Sequence, residues 1–227
     1  MKKITIFLAI FFGFSAAVYG YYFLSKTPES AFLPPIPQKE EESALDRDTL
    51  RETIPASPSD YFPVTKGLYW SYTGEGNEYA SFIRQVLFTE GNRAQIEEDN
   101  GGAISVSVFE VTPEALTRIH FIGEAYDIPN LLNRAPSEHR IILQEPLEVG
   151  TKWINPGESR EIISLGETVV TPAGTFEDAL VIKSTYEHSE IYEYFVVDIG
   201  MVKREFFSGD YRVLSILEDY GLQEELK

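Results

Sequence analysis

Beyond residue 60, apolar and polar residues alternate in short runs, and each run stops at a cluster of Gly, Pro, Asn, Asp or Ser. The clearest run is Ile104, Val106 and Val108 separated by serines, the period-two pattern of a strand with one buried face. Asp99-Asn100-Gly101-Gly102 ahead of it is turn chemistry. Comparable runs at 68–72, 82–89, 93–98, 116–122 and 139–143 predict further strands. The stretch 167–220 carries the strongest pattern, broken at Pro172-Ala173-Gly174, Glu187-His188-Ser189, Ile199-Gly200 and Ser208-Gly209-Asp210, a spacing that suits consecutive antiparallel strands. At the first break Pro172 presets the φ of a type I turn and Gly174 can take a left-handed position, so a three-residue hairpin with a bulge is expected. The predicted fold is therefore all-β, mainly an antiparallel meander forming a curved sheet or half-barrel. One segment interrupts the series. Residues 127–138 read as a connecting loop, or as a lid or cap over one sheet face, with a single short helical turn at 130–134 between Pro129 and Pro136.

Within this pattern one motif occurs twice. Pro63 to Trp70 and Pro146 to Trp153 share P-x-x-x-G-x-x-W and contain both tryptophans of the chain. Each predicts a turn with Gly at positive φ feeding a strand whose first large inward residue is Trp. Two similar halves and a coincidence of strand-entry chemistry both account for the echo.

The first 60 residues follow a different pattern. Lys2 and Lys3 precede an uncharged apolar run, 4–24, which as a helix would span roughly 31 Å, enough to cross a bilayer. The expected role of residues 1–24 is an N-terminal transmembrane helix and signal anchor, with the membrane as partner through 4–24. The competing reading is a cleaved signal peptide ending at Val18-Tyr19-Gly20, which would leave the protein secreted. Tyr21, Tyr22 and Phe23 resemble an interfacial aromatic belt and favour the anchor. On either reading the two lysines stay in the cytoplasm and the bulk of the chain lies outside it. Residues 25–60 are Pro-rich and acidic, the composition of a disordered linker, with a marginal helix at 42–52 as the only local exception. The single β domain is expected at 61–220 and a frayed polar tail at 221–227.

Tyr61-Phe62-Pro63 with Gly67-x-x-Trp70-x-Tyr72, Val169-x-Thr171-Pro172-Ala173-Gly174-Thr175-Phe176, and Gly200-Met201-Val202-Lys203 together resemble a group of uncharacterised exported or membrane-anchored bacterial β-rich domains. That group is marked by G-x-x-W, by a V-x-x-P-A-G-T-F hairpin and by a G-(V/M)-V-K strand entry. Its frequent YY or YF strand ending is matched only loosely by Tyr192-Glu193-Tyr194-Phe195. The resemblance implies an extracytoplasmic, mostly antiparallel curved sheet, and carries over no activity and no catalytic position.

Charge and composition narrow the function classes. The chain has 19 Lys and Arg against 36 Asp and Glu, a formal charge of −17. Residues 61–220 alone hold 12 basic and 26 acidic side chains. A surface of that sign repels phosphate backbones, so nucleic acid is not an expected partner. With no cysteine there is no disulfide, thiol nucleophile or lipoprotein anchor. No Gly-x-Ser-x-Gly elbow occurs, and His120, His139 and His188 lack the spacing of a zinc helix. Glu97-Glu98-Asp99-Asn100-Gly101 lacks the alternating ligands of a calcium loop. No catalytic, metal or cofactor-binding residue is therefore expected. The remaining signal is aromatic. Trp70, Tyr72, Tyr192, Tyr194 and Phe207 either fill a β core or line a groove for a small apolar ligand. The expected function is a non-enzymatic, extracytoplasmic, membrane-tethered domain with a binding or envelope-accessory role, acting on an unknown protein or small apolar ligand. Its alternatives are a carrier or sensor of a hydrophobic small molecule and a carboxylate-dependent hydrolase.

Overall fold

The computed structural model describes residues 56–126 and 129–223; the expected leader at 1–24 and the expected linker up to residue 55 lie outside the described residues. Among the described residues the chain is all-β: twelve strands and one 3-10 turn at Pro58–Tyr61. The strands are β1 (Leu68–Glu75), β2 (Phe82–Glu90), β3 (Arg93–Asp99), β4 (Ile104–Val111), β5 (Ala115–Ile122), β6 (Arg140–Gln144), β7 (Lys152–Asn155), β8 (Glu158–Thr171), β9 (Gly174–Thr185), β10 (Glu190–Val196), β11 (Gly200–Ser208) and β12 (Tyr211–Leu222). They form one antiparallel sheet in the order β6-β5-β4-β3-β2-β1-β12-β11-β10-β9-β8-β7. It is a meander whose first and last strands pair, from Leu68 opposite Leu222 to Glu75 opposite Leu214.

The two edges of this sheet, β6 and β7, are consecutive in sequence, and side chains rather than a backbone ladder join them. An edge strand exposes peptide groups that need partners. The Asn155 carboxamide on β7 supplies them: its oxygen accepts from Ile141 N–H on β6 at 2.9 Å, and its nitrogen donates to Ile141 C=O at 2.9 Å. The Trp153 indole N–H donates to the same carbonyl at 3.0 Å. Arg140 of β6 crosses the seam to Glu158 with two hydrogen bonds of 2.8 Å. The sheet is thereby a nearly closed barrel, curled further than an open half-barrel.

The repeated motif opens each half of the meander. Gly67 and Gly150 have φ of 84° and 94°, which side-chain-bearing residues avoid. Leu68 N–H bonds Thr65 C=O, and Thr151 N–H bonds Glu148 C=O, at equivalent positions. The two glycine N–H groups reach the following strand at Val86 and Ile162. Trp70 in β1 and Trp153 in β7 are both buried.

Several local expectations need correction. The helical turn lies at Pro58–Tyr61, not at 130–134, where the chain forms a hydrogen-bonded turn from Leu131 C=O to Arg134 N–H. Pro58 follows the capping residue Ser57, whose N–H bonds the Asp60 carboxylate at 2.8 Å, so the turn is built where a linker was expected. At the other end β12 continues to Leu222, two residues into the expected tail, because Gly221 and Leu222 pair with Tyr69 and Leu68. The hairpin at Pro172 is a two-residue loop, Pro172-Ala173, with Thr171 paired to Gly174. Register shifts occur further along the pair, with an extra residue on β8 at Ile162/Ser164 and Leu165/Glu167 and on β9 between Ala179 and Phe176.

The alternating face of β4 also points differently from the simplest expectation. Val106 and Val108 are fully buried, but on the outside of the barrel, where Ala125, Leu131 and Leu132 cover them. Gln95 of β3, opposite Val108 and itself fully buried, holds this covering loop: its oxygen accepts from Leu131 N–H at 2.7 Å and its nitrogen donates to Pro129 C=O at 3.2 Å. The serine side of β4 therefore faces the barrel interior.

Candidate functional site

Inward positions follow from register. Phe82, Arg84 and Val86 share a face of β2, and Arg84 lies opposite Trp70 on β1 and Glu98 on β3. On the other side of the barrel Arg160 of β8 lies opposite Ser184 of β9, which lies opposite Ile191 of β10. Glu193 of β10 lies opposite Arg204 of β11. Side chains from these strands meet those of β4, β5 and β6 around one interior cavity of about 240 Å³. Its charged lining is Arg84, Arg118, Arg140, Arg160 and Arg204 with Glu98 and Glu193; Phe62, Ile96, Phe109, Phe121, Ile142, Ile191 and Phe195 form apolar wall, with Ser107 and Tyr186 between. Five of the 12 basic residues of 61–220 thus converge inside an acidic domain.

Most of these guanidinium groups are paired. Arg84 meets Glu98 at 2.7 Å, Arg118 meets Glu138 at 2.6 Å, and Arg160 meets Glu193 at 2.5 Å. Behind the lining, Glu158 accepts from Arg140, from the Asn155 amide and from the Tyr186 hydroxyl, and lies 3.8 Å from Arg160. Burial alone would raise the Glu158 pKa, but the hydrogen bonds from Arg140 and Tyr186 and the charge of Arg160 outweigh it and bring it down to about 2. Glu98 and Glu193 are likewise held below the usual carboxylate value: burial opposes this, and the charges of Arg84 and Arg204 on Glu98, and of Arg160 and Arg204 on Glu193, override it. Burial and the bond to Glu158 push the Tyr186 hydroxyl up to about 12. Near neutral pH these three carboxylates are acceptors only, and the phenol is a donor. General acid catalysis by a carboxyl group would need the opposite shift.

The five aromatic residues singled out in the sequence do not form one groove. Trp70 and Tyr72 are buried on the inner face, where the indole donates to Ile199 C=O at 2.6 Å and the phenol to Met201 C=O at 2.8 Å. Tyr192, Tyr194 and Phe207 line a shallow outer groove with Glu190 and Glu205. Its polar groups are matched internally: Tyr192 donates to Glu190, Tyr194 to Glu205, and Lys203 and Arg212 pair with Glu205. Lys203 sits 4.5 Å from the Tyr194 ring centre, so that ring face already holds a cation. Of the three histidines, His120 bonds Ser137 Oγ at 2.7 Å beneath the covering loop, and His188 is exposed in a turn beside Glu187. Among the described residues no group of three metal-ligating side chains converges.

Alternation alone does not point to the arginines, because a charged residue in a strand is ordinarily assigned to the solvent face. A signal is present: Arg84 stands two residues from both Phe82 and Val86, and Arg160 two from Ile162, and Phe82, Val86 and Ile162 are all buried. The neighbour of Arg84, Ile83, is 52% exposed, the reverse of what hydrophobicity alone assigns.

No protein-family model matches the sequence, and no curated protein matches it. Two crystal structures resemble the fold. One is of a Bacteroides fragilis protein, inferred to be exported, with a YMCC-like fold; it is 15% identical, with a TM-score of 0.44 over 70% of this chain and 98% of that one. The other is of a Parabacteroides distasonis protein inferred to be a lipoprotein, 14% identical, with a TM-score of 0.35 over 74% of this chain and 100% of that one.

Proposed function

We propose that this chain is a non-catalytic binding domain, held outside the cytoplasm by a membrane anchor at residues 4–24, and that the barrel cavity is its binding site. The observation that carries the reading is the convergence of five guanidinium groups and an apolar wall on one cavity of about 240 Å³. A barrel interior that served only for packing would be filled with apolar side chains and would not bear the cost of burying charges. The placement outside the cytoplasm rests on the leader's length and flanks and on the absence of cysteine. A role without turnover is supported by the depressed Glu98, Glu158 and Glu193, which leave no carboxylic acid there to act as a general acid near neutral pH.

The experiment has two readouts on a carboxy-terminally tagged full chain. In intact bacterial cells with a permeabilised outer layer, external protease should remove the barrel, while alkaline washing should leave the undigested chain in the membrane at full mass. A soluble product shorter by about 20 residues would replace the anchor with a cleaved leader. A barrel protected until the cytoplasm is opened would end the reading. Purified chain, denatured and extracted, should release a small molecule in stoichiometric amount and chemically unchanged on re-incubation with refolded protein.

A further inference from the structure

We infer that the cavity is a receptor for the anionic head, a carboxylate or phosphate, of a small organic acid, with Arg160 and Arg204 as the groups that take it. This rests on the reading of the cavity as a binding site and adds the class of ligand.

Arg160 is 2% exposed, and only part of its hydrogen-bonding capacity is used. One terminal nitrogen bonds Glu193 and the other lies 3.8 Å from Glu158, but its Nε has no hydrogen-bond partner. Directly opposite it in the ladder, the fully buried Ser184 hydroxyl has none either. A buried donor without an acceptor is costly, and each such group in a folded protein calls for a partner. Arg204 reaches the same cavity from β11 opposite Glu193. It lies over the Phe82 ring, 4.7 Å from the ring centre, and makes no hydrogen bond or ion pair among the described residues.

The charge balance has the same sign. Five arginines line the cavity against Glu98 and Glu193, and counting Glu138 and Glu158 behind the wall still leaves the carboxylates one short. A guanidinium carries five donors and no acceptor, so the unmet need is for acceptors. That excludes a cationic ligand, gives a neutral polyol little advantage, and suits an oxyanion, which arginine forks engage with paired hydrogen bonds. Phe109, Ile142 and Phe195 on the same wall would receive an apolar body attached to that head.

The test is calorimetric titration of the detergent-extracted full chain with benzoate and phenyl phosphate, against their neutral counterparts benzamide and phenol. The anions are expected to bind and the neutral compounds not to. Arg204→Gln breaks no direct ion pair but withdraws a charge that Glu98 and Glu193 feel, so it should fold with a modestly lower unfolding midpoint and weaken the anions about tenfold or more, the cost of a charged hydrogen bond. Arg160→Gln should weaken the anions at least as much and, because it strands the buried Glu193, also lower the unfolding midpoint; if it fails to fold, Arg204→Gln alone decides. Equal binding of neutral and anionic probes, unchanged in Arg204→Gln, would overturn the anion assignment while leaving the cavity a binding site. Binding by neither set would remove both.

Discussion

A single side-chain amide does the work of a peptide group at the seam of this barrel. Asn155 is 3% exposed and satisfies both the N–H and the C=O of Ile141, whereas Trp153 adds a second donor to a carbonyl already satisfied. Asn155→Ala should therefore cost roughly 2–3 kcal/mol, since it strands the half-buried Ile141 N–H and removes the buried bond to Glu158, and Trp153→Phe only about 1 kcal/mol. Denaturant unfolding of the two variants gives the order; equal losses would mean that the amide is not what closes the edge. Neither role was legible in the sequence. Asn155-Pro156-Gly157 reads as a turn, and nothing local says that the asparagine side chain faces another strand 14 residues back. The Trp153 position was legible, because Gly150 three residues earlier marks the entry of a strand.

At the scale of elements, the meander is held in shape by its turns and by one covering loop. Gly67 and Gly150 occupy equivalent turns at positive φ, and a Cβ at Gly150 would meet nothing within 4 Å. Gly150→Ala should thus show the backbone cost alone, roughly 1–2 kcal/mol, and Gly67→Ala a similar value, because its Cβ meets only Gln223 C=O at 3.4 Å. Widely different losses in thermal unfolding would separate the two turns. Gln95 governs the loop on the opposite face. Gln95→Ala should leave Leu131 N–H without its acceptor, destabilise by about 2 kcal/mol and speed amide exchange at Leu131 and Leu132. Unchanged exchange there would show that the buried leucines, not the glutamine, fix the loop. The strands themselves were readable because alternation and turn residues are local properties. The cover was readable only as a lid or an ordinary loop, since Leu131 and Leu132 have no periodic context that names their partner.

For the whole molecule, the barrel gathers scarce positive charge inside and leaves negative charge outside, and its stability should follow pH accordingly. The Glu158 pKa is about 2 in the folded chain against 4.5 for the free side chain, so its contribution is fully present above pH 4.5 and disappears as pH falls toward 2. The loss amounts to roughly 3 kcal/mol, with Glu98 and Glu193 adding in the same direction. Acid unfolding of the wild type and of Glu158→Gln checks this: the variant should be less stable at neutral pH and have a shallower acid slope, and parallel slopes would assign the acid sensitivity elsewhere. The sequence by itself determined the strand series, most of the turns, the antiparallel all-β class and the doubled strand entry at Trp70 and Trp153, because each depends on residues a few positions apart. Only the tertiary structure decided that the sheet closes on itself, that Val106 and Val108 are buried from outside, and that Arg84, Arg118, Arg140, Arg160 and Arg204 share one cavity. Alternation separates the two faces of a strand but does not say which is inside; that depends on the curl of twelve strands and on the loop that covers one face, neither of which is written within reach of a single strand.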